Sequence, residues 1–144
     1  MSVGSFTLYN SAKKDILDGT VDLDNDTVTA VLATTDYVPA ATHDTYSDVT
    51  NICADADYAP KTLTSPVFTE SAGTVKFDAD DVTYGTTVSI AARYIVLVRQ
   101  AGASLAGTDR LIGYMDLDDT GYNVRSTNSN FIVRWNANGL FQLS

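Results

Sequence analysis

The sequence predicts a mainly β fold, about eight strands forming a two-sheet sandwich with one short helix near the N-terminus. Three observations lead there. Thr74 to Asp78 alternates apolar and polar residues with the period of two that a half-buried strand requires. Tyr94 to Val98 is a continuous apolar segment, rich in β-branched and aromatic residues and far too short to span a membrane. Glu70 is the only glutamate among eighteen acidic residues. Asp favours turns and caps where Glu tolerates helix interiors, so the acids mark the joints between strands.

In chain order, "LYNSAKKDILDG" places Leu8, Ala12 and Ile16 at i, i+4 spacing, leaves Lys13, Lys14 and Asp15 for the other side, and stops at Gly19; this is the helix. From Thr27 to Thr35, Val28, Ala30 and Leu32 share one face while Val31 and Ala33 make the other apolar too, which predicts a strand covered on both sides. Pro39 to Pro60 has no sustained period and reads as a long loop with one helical turn. "KTLTSPVFTES" and "GTVKFDADDVTYG" are strands, the first an edge candidate because of Pro66. "TTVSIAARYIVLVRQ" supplies the central strand, with "RLIGYMDLDD" as its hairpin partner across the turn "AGASLAGTD". After a polar loop from Asp118 to Asn130, "FIVRW" alternates and "NANG" turns the chain into Leu140 to Leu143.

The chain, 144 residues with 44% hydrophobic and 19% charged, fits a single domain over residues 1–144 and needs no disulfide or metal to fold. A net charge of −9 has the wrong sign for gripping nucleic acid or anionic lipid through the overall field. Cys53 is the only cysteine and reads as a small buried hydrophobe. "MSVGSFTLYN" lacks the basic and apolar regions of a signal peptide, so synthesis in the cytoplasm is expected.

Few residues suit catalysis. Asp22, Asp24 and Asp26 match positions 1, 3 and 5 of an EF-hand loop, but Thr27 stands where that loop needs Gly and Ala33 where it needs a bidentate Glu. Irregular calcium binding by these residues, or by Asp78, Asp80 and Asp81, is the alternative to solvated turns. His43 is the only histidine, which removes zinc sites built on several His or Cys ligands, and no nucleophile elbow or phosphate-binding glycine motif occurs. No catalytic residue and no cofactor is expected. Trp135 shares strand parity with Phe131 and Val133, which assigns it to the core; a sugar-binding face is the alternative.

Arg93 and Arg99 bracket the central strand six residues apart. They are expected to be strand ends that reach water or local aspartates, or else contacts with a neighbouring subunit. The order "LYNSAKKDILDGTVDLDNDTVTAVLATTDYVPAATHDTYSDV", "FDADDVTY", "ARYIVLV", "LIGYMDL" and "FIVRWNANGLFQLS" resembles a family of small tailed-phage and prophage virion structural proteins. That resemblance implies a jelly-roll-like subunit of the capsid decoration or cement kind, located on the virion surface. Its implied partners are the major capsid protein and copies of itself, without membrane or direct nucleic-acid contact. A tail tube or tip subunit and a carbohydrate-binding module on the virion are the alternatives. Candidate contacts are Val3 and Phe6 ahead of Leu8, Tyr37, Val38, Tyr46 and Val49 in and beside the long loop, and Arg93 and Arg99. Deleting Met1 to Phe6 is expected to weaken particle binding while leaving the fold intact.

Overall fold

The computed structural model describes residues 4–144, and the fold is mainly β, with antiparallel sheets and one α-helix. The central sheet has the order β1 (Thr7–Leu8), β9 (Arg110–Asp116), β8 (Tyr94–Gln100), β2 (Thr27–Ala33), β3 (Lys61–Thr62). Three smaller sheets accompany it. One contains β12 (Phe141–Leu143), β5 (Thr74–Asp78) and β4 (Val67–Ser71); the others pair β11 (Ser129–Val133) with β6 (Val82–Val88), and β10 (Val124–Arg125) with β7 (Ala91–Ala92). β8 is the middle strand of the central sheet. It pairs with β2 from Tyr94↔Ala33 to Gln100↔Thr27 and with β9 from Tyr94↔Asp116 to Arg99↔Arg110.

Both faces of the central sheet are covered, because apolar side chains of β2 and β8 point to both sides; the one buried polar residue of β2, Thr29, donates its hydroxyl to Gln100 at 2.8 Å. On one face Val28, Ala30, Leu32, Ile95, Leu97 and Ile112 meet Phe77, Val82, Tyr84, Phe131 and Val133 from β5, β6 and β11. Here strands pack on strands, as in a sandwich, although the outer layer is divided between two short sheets. On the other face Val31, Ala33, Tyr94, Val96, Val98 and Leu111 are covered by Tyr9, Ala12, Tyr37 and Val49. This third layer consists of the helix α1 (Asn10–Leu17) and the long loop, a layer that a two-sheet reading lacks. The loop contains the expected helical turn, a 3₁₀ turn at Tyr46–Asp48. A reciprocal capping box holds it: the Thr45 side chain accepts from the Asp48 N–H, and the Asp48 carboxylate accepts from the Thr45 N–H at 3.1 Å.

Four local expectations are corrected. Leu8 belongs to β1, so α1 begins only at Asn10. Asp15 is buried rather than solvated, because its carboxylate accepts two hydrogen bonds from the Arg110 guanidinium, at 2.9 and 3.3 Å. Pro66, which lacks an N–H, follows Ser65 at φ 52° and divides "KTLTSPVFTES" into β3 and β4 in different sheets. Finally, β11 ends at Val133, so Trp135 lies beyond the strand.

Candidate functional site

Arg93 and Arg99 pair with aspartates of the same chain. Arg93 Nε and Nη2 donate to Asp116 at 3.2 and 2.8 Å, and the guanidinium lies 4.9 Å from the centre of the Tyr94 ring. Arg99 Nε and Nη2 donate to Asp26 at 2.9 and 3.2 Å. Burial opposes ionisation of Asp26, but hydrogen bonds from Arg99 and from the Asp22 N–H outweigh it and hold the carboxyl below its ordinary range. Arg110, which the sequence reading did not single out, joins α1 through Asp15 and the long loop through Asp44, the latter at 3.5 Å. These three guanidiniums fasten peripheral segments to the ends of β8 and β9.

Beneath the long loop lies a chain of polar tips. The Tyr9 and Tyr37 hydroxyls are 2.8 Å apart, and the Tyr37 hydroxyl is 3.0 Å from His43 Nδ1. Tyr94 and Tyr114 pack beside them, Tyr114 with its ring 5.3 Å from Tyr9 and Tyr94 with its ring 5.8 Å from Tyr37. Burial pushes the Tyr9 hydroxyl well above the ordinary phenol range and raises that of Tyr37. His43 is thereby a bonding partner inside the fold.

The proposed contact residues fall into distinct environments. Tyr37 and Val49 are buried and spend their side chains on the protein's own core, while Tyr46 is partly buried against it. Val38, 76% exposed, presents its side chain to solvent. Phe6 is partly buried and stacks on Phe141, with its ring edge-to-face to Trp135, both at 6.3 Å. It reaches that place because Gly113 has no side chain: a Cβ there would come within 2.6 Å of the Phe6 ring. Removal of Met1 to Phe6 would take the Phe6 packing away. Val3 lies outside the described residues.

The aspartates act chiefly as acceptors for backbone N–H groups in loops. Asp109 accepts from Ala101 and Ala106, Asp57 from Ser89, and Asp55 from Ala91 at 2.7 Å and from the Cys53 thiol at 3.4 Å. Burial pushes the Cys53 thiol up and leaves it a neutral hydrophobe. Among the described residues no three His, Cys, Asp or Glu side chains converge as a metal site would require. Asp22 and Asp26 instead bond to their own turn and to Arg99.

Two clefts open on the outer side of the molecule. One, of about 350 Å³, has Trp135, Phe6 and Phe141 in its wall with Asn136, Asn138 and Gln142 beside them. The Trp135 indole is partly buried and donates to the Asp80 carbonyl at 3.0 Å. The other cleft, of about 280 Å³, runs along residues 130–134 and is closed by Met115, Leu117, Val124 and Arg125. Sequence reasoning missed the second cleft. Arg125 sits within a largely polar segment, and nothing in the local pattern places it beside Phe131. No family model, curated protein or solved structure matches the chain.

Proposed function

We propose that this chain is a noncatalytic structural protein of a tailed-phage virion, seated on the capsid surface where it bridges copies of the major capsid protein and associates with copies of itself. The jelly-roll arrangement belongs to the same proposal. One observation supports the reading best: the groups that chemistry would recruit are committed to holding loops. Arg93, Arg99 and Arg110 are paired with Asp116, Asp26 and Asp15, His43 with Tyr37, and Cys53 with Asp55. What faces solvent instead includes the apolar side chains of Val38 and Leu17 and the outer edge of β4, features suited to surface contact. A cement protein acts by mass action, since binding across subunit seams stabilises the assembled shell.

Cosedimentation with undecorated heads and, separately, with isolated tails tests the proposal. Saturable binding to heads with greater heat resistance of the particle is expected. Binding to tails alone transfers the chain to a tail role, and binding to neither removes the virion assignment.

A carbohydrate-binding role is the second reading, favoured by the cleft in which aromatic rings stand beside neutral amides. Trp135 is the only tryptophan, so its fluorescence reports that cleft without interference. A saturable change on titration with oligosaccharides supports this reading, and an unresponsive Trp135 removes it.

A further inference from the structure

The cleft along β11 combines an open strand edge with a pair of arginines. β11 is hydrogen-bonded to β6 and to no other described strand. Five consecutive residues, 130–134, line the cleft. The pairing of β11 with β6 shifts register on both sides of Phe131, and the run continues past the strand end to Arg134; five consecutive lining residues across such a stretch bring the backbone edge to the space. No proline interrupts the run, and its outward N–H and C=O groups form a template for another strand.

The second feature is charge. Of five arginines in the chain, Arg93, Arg99 and Arg110 are locked in two-point pairs with aspartates. The remaining two, Arg125 and Arg134, are the two that line this cleft. Among the described residues the Arg125 side chain makes no hydrogen bond or ion pair, and Arg134 has only a loose contact with Asp81 at 3.7 Å. Between them the wall is apolar, formed by Met115, Leu117, Val124 and Phe131.

We propose that the open edge of β11 docks an extended peptide segment of a partner protein, acidic and apolar in alternation, which adds to the sheet as a further strand. Its apolar side chains enter the cleft and its carboxylates meet Arg125 and Arg134. A small amphiphilic acid would satisfy the arginines but leave the row of backbone groups to water. The docking surface does not depend on the virion reading, and its test uses no particle.

The test titrates the protein into an end-labelled, blocked peptide alternating valine and aspartate, read by fluorescence anisotropy, with hydrogen exchange followed on the complex. Saturable binding that slows exchange in β11 is expected. Arg125→Gln should weaken it about tenfold, as loss of a charge-assisted hydrogen bond does, and Arg134→Gln likewise, with unchanged melting of the free protein. A peptide with lysine for aspartate, or with alternate backbone nitrogens methylated, should not bind. The proposal is overturned by absent binding, by equal binding of either control peptide, by arginine variants that bind as well as the parent, or by exchange protection elsewhere than β11. Equal affinity for decanoate would reassign the cleft to a lipid acid, and self-association abolished by Arg125→Gln would reassign it to a second copy.

Discussion

The two faces of the central sheet are built by different physics. On the face toward β5, β6 and β11, regular strands meet regular strands, and the interior is aliphatic and aromatic with few polar atoms. On the face toward α1 and the long loop, five tyrosines and a histidine gather at the sheet, and hydroxyl tips and carboxylates are bonded in pairs and chains. Burial of apolar area drives the first face, and cost falls on any lost volume. The second has an irregular backbone whose polar groups must be satisfied one by one, so its stability depends on specific donors and acceptors. An irregular segment can therefore serve as a core layer when enough short acidic side chains are available to close its loops.

Volume loss on the strand-faced side should have the largest effect. Phe77 is fully buried between Phe68 and Phe141, and Phe77→Ala is expected to cost about 3–5 kcal/mol in denaturant unfolding. A similar cost for Val49→Ala under the loop would erase the distinction. Arg110→Ala comes next, because it leaves Asp15 buried without its partner. With Arg110 itself 33% exposed, a loss of about 2–3 kcal/mol is expected, below the range for a fully buried pair. The double variant Arg110→Met with Asp15→Leu should recover much of that loss, and failure to recover would show that packing rather than charge holds α1.

Tyr37→Phe removes the middle of the Tyr9–Tyr37–His43 chain and should cost about 1–2 kcal/mol while leaving the apolar face unaffected. Hydrogen-exchange slowing that is lost only beneath the loop would confirm the division. The pH dependence has a definite sign. Asp26 and Asp48 are held below the ordinary carboxylate range, Asp26 by Arg99 and the Asp22 N–H against the opposing effect of burial, Asp48 by the N–H groups of Asp44 and Thr45. Their contribution is complete above the unfolded value of about 4 and is lost as pH falls through the depressed folded values. Arg99→Gln should move the acid unfolding midpoint upward, as followed by circular dichroism. The buried tyrosines act at the other limit: their folded values are raised, so stability is complete below about pH 10 and falls as pH rises above it. The smallest effect is expected at Ser11, whose buried hydroxyl has no partner among the described residues. Ser11→Ala should stabilise α1 by about 0.5 kcal/mol.

The asymmetry between the faces also accounts for what could be read in advance. Val28, Ala30 and Leu32 alternating with Val31 and Ala33 announced a strand covered on both sides, because side-chain parity alone determines which face a strand residue occupies. Tyr94 to Val98 followed by Leu111 to Met115 announced the central hairpin for the same reason. Which aspartates Arg93 and Arg99 meet was not legible, and only the tertiary structure pairs them with Asp116 and Asp26. The burial of Asp15 was not visible at all, since its partner Arg110 is 95 residues away. The packing of Phe6 was not visible either, since the space it fills depends on Gly113 in another strand.

The sequence by itself determined the β class, the helix near the N-terminus, the doubly covered central strands and the wrong sign of charge for a nucleic-acid surface. Each rests on local periodicity or composition, which act over neighbouring residues. Tertiary structure decided that the loop is a core layer, that three arginines are locked while Arg125 and Arg134 flank one cleft, and that β11 carries an open edge. Those facts depend on which distant segments meet, and chain proximity carries no information about them.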